Sequence, residues 1–471
     1  MTSPAHTRAP ANRRPAAGDW ATLRAQVRGR VFLPDEAGYE QARQVADPRF
    51  ALVRPAGVVS CADEQDVRAA VEFARRHRLT PHPRSGGHSY TGYSTGSGLV
   101  IDVSAMKDVS VEGSEARVGA GATSGEVTQA LDEHDRILPV GTCPGVGIAG
   151  LTLGGGIGTV GRAYGLTLDN LREATVVLAD AGLVTCGPDS HPDLFFALRG
   201  AGTGNFGVVT SLVFDTHPAP EVCTFLLDWA PGRASQAILG WQEWALALPD
   251  QMFTQVRLLT KPAHVRVIAV WCGPPGEGVP LVERLITVLG KPDTVRSHRS
   301  RYAPSIEFLK KQKLFDGGGQ APFIYTEDHQ LFRPLPPKAV DVLVSKMIEA
   351  SDSTRLAALE RQGGALGRTP GTAWAHRACL FGSWYQAVIP PAAGLAAVLA
   401  ARDWVAGLWH ALRPWASGHS YQNHLSPRRP DWARAYYGEH LDRLRAVKAR
   451  YDPDDLFHHP HGLHHQGLRG R

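Results

Sequence analysis

From Ala56 onward the apolar positions recur at two periods in turn, about 3.6 and about 2 residues, which predicts alternating helices and strands. Residues 62–77 (ADEQDVRAAVEFARRH) set Val67, Ala70, Val71 and Ala74 on one helical face behind an acidic first turn, which suits the helix dipole. That pattern is an amphipathic helix packed on a sheet. Residues 98–103 (GLVIDV), 116–120 (ARVGA) and 206–214 (FGVVTSLVF) read as strands, and 125–134 (GEVTQALDEH) and 193–198 (DLFFAL) as short helices. Residues 171–185 read as a hairpin turning at Asp180-Ala181-Gly182. The run His217-Pro218-Ala219-Pro220 then breaks an α+β unit. Beyond it the character changes: nine of the eleven Trp fall within 221–417, enough for a separate core and an aromatic-lined wall. Residues 432–451 (WARAYYGEHLDRLRAVKARY) return to helical spacing, as a terminal helix packing back on the first unit.

Composition narrows the class. A chain of 471 residues, 43% of them hydrophobic, has room for two or three domains. Fifty Lys plus Arg against forty-five Asp plus Glu is a mild excess with no polyanion-binding signature, so no nucleic-acid partner is expected. No apolar run approaches the ~20 residues of a membrane-spanning helix, and no membrane partner is expected either. Residues 1–18 are rich in Pro, Ala and Arg without the apolar core of a secretion signal; they read as a disordered arm on a cytoplasmic protein. The six cysteines are scattered, with no CxxC spacing, and most read as small buried apolar residues. His458, His459, His461, His464 and His465 read as a solvated tail rather than a metal site, and Arg75-Arg76 and Arg428-Arg429 as solvated surface.

The fifty glycines are unevenly spread. Residues 84–90 (RSGGHSY) place two glycines before a histidine, where backbone N–H groups can turn toward an anion such as a pyrophosphate. Residues 141–158 (GTCPGVGIAGLTLGGGIG) hold eight more glycines in eighteen positions, suited to a second stretch of an extended anionic ligand. A Rossmann fingerprint fails, because no strand leads into this cluster and no long helix with an acidic residue ~20 positions on follows it. A P-loop fails for want of any GKS or GKT.

These two clusters, with RAYGLTLDN at 162–170, RGAGTGNFGVVT at 199–210, Tyr421-Gln422-Asn423, Tyr437-Gly438 and Tyr451-Asp452-Pro453, resemble in sequence and order the FAD-linked oxidases of the berberine-bridge-enzyme type. The resemblance spans roughly residues 45–460. It implies an α+β protein of vanillyl-alcohol-oxidase type: a two-lobed FAD-binding domain from 19–220 and 418–471, and a substrate domain with an antiparallel sheet at 221–417. It further implies FAD held bicovalently, through His88 to the 8α-methyl and Cys143 to C6. Arg84, Ser85, Gly86, Gly87 and Ser89 would wrap the pyrophosphate. Gly147, Gly150, Leu153, Gly154 and Gly158 would follow the flavin and ribityl chain, with Val209 near the adenine or ribityl portion and Asn423 beside the ring. Tyr421 would be the base that removes a proton as hydride leaves for flavin N5, with nearby positive charge or hydrogen bonds favouring its anion, and Tyr90 is placed to share that role. Val146 stands where a valine admits oxygen, which favours an oxidase that releases peroxide. The partners implied are a small secondary metabolite and O₂, and the oligomeric state a monomer or homodimer. Leu151 and Ile157 replace polar residues used by some members, so a redox-neutral cyclase or dehydratase and a metabolite-sequestering protein stay open as alternatives.

Overall fold

The computed structural model describes residues 15–464, apart from 312–322, 350–352 and 391–392. Two small sheets share one core. In the first, the strands lie in the order Arg30–Phe32, Gly57–Ser60, Leu99–Asp102 and Pro81–Arg84, the last three mutually parallel. Parallel pairing demands a crossover. The helix Glu64–His77 supplies it: Asp63 accepts hydrogen bonds from the Gln65 and Asp66 amides at its start, and Arg78 closes it in a left-handed conformation. Val67, Ala70, Val71 and Ala74 are fully buried, as the pattern predicts.

The second sheet is antiparallel, ordered Val109–Glu112, Glu115–Gly119, Gly207–Asp215, Leu171–Leu178, Leu183–Cys186. The hairpin turns as expected, with Ala181 taking the left-handed position at φ 64°. One hydrophobic cluster joins both sheets to the closing segment of the chain through Tyr436, Leu444 and Tyr451.

A seven-stranded, wholly antiparallel sheet follows, its strands all lying between Glu221 and Ile389. The helices Ala234–Leu246, Gly278–Leu289, Pro337–Ile348 and Leu395–Leu412 cover one face. Six of the tryptophans (Trp229, Trp241, Trp244, Trp271, Trp404 and Trp409) are buried in that layer, so most of the aromatic content builds core; Trp374 and Trp384 belong to the opposite side. The α+β class with an antiparallel second sheet is therefore the architecture observed. Among the described residues no helix is long and apolar enough to cross a membrane.

Four expectations need correction. A helix begins at Ala17, its Trp20 and Leu23 buried in the core, so the arm cannot include residues 17 and 18; residues 1–14 lie outside the described part. The helix expected over 432–451 is two, Trp432–Tyr437 and Leu441–Tyr451, parted where Gly438 turns to φ 51°. Of the histidines near the end, His458 is exposed as a solvated residue would be, but His459 and His461 are not. His461 is 3% exposed, with Nδ1 2.5 Å from the Tyr93 hydroxyl, and His459 stacks on Tyr93 at 4.6 Å; His465 lies outside the described residues. Arg429 is buried, its guanidinium over the Trp409 ring and 3.4 Å from Glu327.

Candidate active site

The two glycine-rich loops meet backbone to backbone. A Cβ on Gly86 would stand 2.3 Å from the Gly147 nitrogen, and one on Gly147 would stand 2.1 Å from Ser85 Oγ. Only glycine permits that approach. Ser85 Oγ donates to the Ala120 carbonyl at 2.7 Å, and Gly87 turns the chain at φ 69°. The contact sets His88 against Gly145, where a Cβ would lie 3.3 Å from Nε2. Cys143, two residues earlier, is fixed by its carbonyl, which accepts from Ser124 Oγ at 2.8 Å and from the Val146 amide at 3.2 Å. His88, Gly145 and Gly150 are exposed, and Cys143 and Val146 half-buried. Though the residue is exposed overall, desolvation of its ring by the surrounding loops holds the His88 imidazole below its ordinary value.

FAD fits this groove. A Cβ on Gly150 would meet nothing within 4 Å, so the backbone there is open to a ligand. In the loop after His88, Ser94 Oγ and Thr95 Oγ1 are buried with no protein partner, which suits an oxygen-rich cofactor. The sequence reading passes over these two hydroxyls; their signal was the small polar run TGYSTGSG continuing past RSGGHSY.

Other expected contacts look elsewhere. Arg84 is 5% exposed; its guanidinium reaches Asp102 at 2.6 Å and the Gln44 carbonyl at 3.2 Å, and also holds the Ala42 carbonyl. A side chain so committed cannot wrap a pyrophosphate. Ser89 Oγ accepts from the Tyr93 amide at 3.1 Å. Leu153 and Val209 are core residues, a Cβ on Gly158 would lie 2.3 Å from the Val140 carbonyl oxygen, and one on Gly154 would lie 2.0 Å from Asn423 Oδ1.

The last of these contacts seats Tyr421. Its hydroxyl accepts from the Gly156 amide and from Asn423 Nδ2, both at 2.9 Å, while the same Asn423 nitrogen donates to the Leu151 carbonyl at 3.0 Å. Trp374 and His424 pack edge-on against the Tyr421 ring, at 5.2 and 5.0 Å. His424 also touches Tyr90 and Trp384, so the two tyrosines expected to share a role flank one imidazole. Burial raises the Tyr421 phenol to about 12; hydrogen bonding from Gly156, Asn423 and the Ile157 backbone opposes this and the charge of Glu360 adds to it. Burial likewise raises Tyr90 well above its ordinary value.

Across the groove stands the face of the seven-stranded sheet turned away from the four covering helices, part of it packed by the helix Tyr302–Lys311. Alternation sends Val256, Leu258, Ala357, Leu359, Tyr385 and Ala387 into the helical layer, and Gln255, Arg257, Ala358, Glu360, Trp384 and Gln386 to the opposite side. Gln255 pairs in register with Glu360, and Gln255 Nε2 donates to Glu360 Oε2 at 3.0 Å; Arg257 Nε donates to Gln255 Oε1. All three are at least 94% buried. Burial lifts Glu360 to about 7, against the pull of Gln255 and Arg257, and lowers Arg257 to about 9. This bed faces both loops. Burial raises the Cys143 thiol and the Arg257 charge opposes it, while Gln386 hydrogen-bonds Tyr90. Glu360 is the buried acid of this bed that the sequence concealed, standing alone near the end of an apolar strand (RLAALER) with no motif around it.

Residues 55–187 match the family model described as FAD binding domain, and residues 420–464 the one described as berberine and berberine like. The chain is 32% identical over 444 residues to the FAD-linked oxidoreductase YgaK of Bacillus subtilis, covering 92% of this chain and 96% of that one. It is 29% identical to (R)-6-hydroxynicotine oxidase of Paenarthrobacter nicotinovorans, covering 94% and 98%. Among solved structures, Physcomitrella patens BBE-like 1 superposes with a TM-score of 0.87 at 26% identity, covering 94% of this chain and 99% of that one.

Proposed function

Since the chain belongs to the berberine-bridge-enzyme-like FAD-linked oxidoreductases, we propose that it is an oxidase of a small secondary metabolite, with FAD tethered at His88 and Cys143 and O₂ as final acceptor. The carrying observation is the buried Gln255–Arg257–Glu360 bed standing opposite the His88 and Cys143 loops and beside Tyr421. FAD, when bound, supplies the two-electron acceptor and returns the electrons to oxygen as peroxide.

The residues supply orientation and proton transfer. A general base works best with a pKa near the operating pH. Glu360, at about 7, meets that condition, whereas Tyr421, at about 12, is a phenol at neutral pH. Glu360 therefore takes the substrate proton, and Tyr421, its hydroxyl held by Gly156 and Asn423, donates a hydrogen bond to the oxygen or nitrogen attached to the carbon that gives up hydride. Trp384, Trp374 and His424 close the sides and exclude water. Val146, half-buried beside Cys143, leaves the oxygen approach unblocked.

Two measurements test this. Acid-precipitated wild-type protein should stay yellow and carry the mass of FAD, each of His88→Ala and Cys143→Ala should keep one linkage, and the double variant should release the flavin. Oxygen uptake with stoichiometric peroxide should appear in a screen of alcohols, hemiacetals and reduced heterocycles; turnover without oxygen uptake would reject the oxidase reading.

A further inference from the structure

Asp328 lies on the strand Phe323–Leu331, at the edge of the seven-stranded sheet, and is 1% exposed. A carboxylate so deep in the protein is expensive unless its oxygens are filled. Both are. Oδ2 accepts from the Tyr421 backbone amide at 2.8 Å and from Gln330 Nε2 at 3.2 Å, and Oδ1 accepts from the Ser420 hydroxyl. Its own carbonyl accepts from Trp409 Nε1 and Arg429, each at 3.1 Å. The neighbouring Glu327 binds Arg429 and the Ser426 hydroxyl. Around this knot the closing segment is hooked to the sheet again, by the Gln330 amide to the His419 carbonyl at 3.0 Å and by the Ser417 amide, at 3.3 Å, and Ser417 Oγ to the Gln330 carbonyl.

Tyr421 is thus held at both ends. Its amide is fixed to the substrate sheet by Asp328, and its hydroxyl to the glycine run by Gly156. Nothing in the hydroxyl's own partners sets where the backbone begins. We propose that Asp328 is a positioning residue of the reaction: it fixes the start of the Tyr421-Gln422-Asn423 segment against the substrate sheet, and so fixes the Tyr421 hydroxyl and the Asn423 amide relative to the bed that carries Glu360. This rests on the reading of Tyr421 as a group that touches substrate. The charge itself is secondary. An asparagine can turn its oxygen to the Tyr421 amide and its NH₂ to the Ser420 hydroxyl, which rotates to accept.

The test uses holoenzyme labelled with 3-fluorotyrosine, its Tyr421 resonance assigned by loss in Tyr421→Phe. Asp328→Ala should shift or broaden that ¹⁹F line while those of Tyr39 and Tyr302, remote from Asp328 in sequence and partners, stay in place; Asp328→Asn should restore it. A Tyr421 line unmoved in Asp328→Ala, or one moving together with all the others, overturns the proposal. Should the alanine variant not fold, Asp328→Glu keeps charge and both acceptors but pushes them out by about 1.5 Å, one C–C bond, and must displace the same line. With any substrate that reduces the wild-type flavin, Asp328→Ala should slow reduction ~10-fold or more, and less than about 2-fold in a Tyr421→Phe background. Equal losses in both backgrounds overturn action through Tyr421. A displaced line with no kinetic loss in either background leaves the anchoring intact and removes Tyr421 from the chemistry, so the two readings fail separately.

Discussion

At the scale of the residue, the site is a contest between burial and hydrogen bonding, and its outcome differs for two acids a short way apart. Tyr421 is opposed by hydrogen bonding from Gly156, Asn423 and the Ile157 backbone and still rises to about 12, because a phenolate deprived of water loses more than those hydrogen bonds return. Glu360 starts some five to six units lower, so the same penalty brings it only to about 7, into the range where a base works at neutral pH. A base must be ionised to act, so the rate of flavin reduction should climb between about pH 6 and pH 8 with an apparent midpoint near 7. Glu360→Gln should abolish that limb and lower the plateau by ~10²-fold, the ordinary worth of general-base catalysis. A stopped-flow pH profile decides it, and an unchanged limb in Glu360→Gln would assign the base elsewhere. The stability consequence has the opposite sense. A carboxyl whose folded pKa is raised favours the folded state while protonated, so its contribution is full below about 4.5 and is lost as pH rises through about 7.

At the scale of the element, the short segment around Tyr421 is fixed by side chains more than by its own secondary structure. Its register depends on Gly154, because a Cβ there would fall 2.0 Å from Asn423 Oδ1. Gly154→Ala should therefore displace Asn423 and free one of the donors to Tyr421 while leaving the His88 and Cys143 loops alone. The measurable result is retained covalent flavin with at least ~10-fold slower reduction, close to the loss in Asn423→Ala; loss of flavin instead would place Gly154 against the cofactor. Helices and strands with strong periodicity were readable in advance, Glu64–His77 and the hairpin after Leu171 among them, because apolar spacing alone decides them. The terminal helix was not, since its periodicity runs straight through Gly438 and only the backbone shows the break. The glycine loops were legible through their composition as backbone open to an extended anion, and only through the family resemblance as a place for FAD. Which glycines face the groove and which merely let loop pass loop was not legible, because both uses delete the same atoms.

At the scale of the whole molecule, the seven-stranded sheet and the flavin-side layers are joined by buried charge. Arg429, on the closing segment, is paired with Glu327 on the sheet edge and sandwiched over Trp409 and Tyr436. A sequence reader sees Arg428-Arg429 as surface, because nothing local reveals that a distant strand brings an acid to it; Glu360 and Asp328 were hidden for the same reason. Arg429→Ala would leave Glu327 buried without its cation, a loss of about 3–5 kcal/mol. The denaturant midpoint should fall accordingly without a change in slope, and Arg429→Lys, lacking the planar stack, should recover only part of it. An unaltered midpoint would mean the pair contributes nothing to joining the layers.

The hydrogen bond from Gly156 to Tyr421 spans 265 positions, with the entire substrate sheet threaded between them. During synthesis, the loops carrying His88 and Cys143 emerge long before the tyrosine, and the sheet bearing Glu360 and Asp328 must form before the closing segment can be hooked to it. A chain cut short by a stalled ribosome or a protease thus lacks the segment that completes the core of the two small sheets and ties the large sheet to the glycine run. The order of synthesis makes the seating of Tyr421 the last step in building the site.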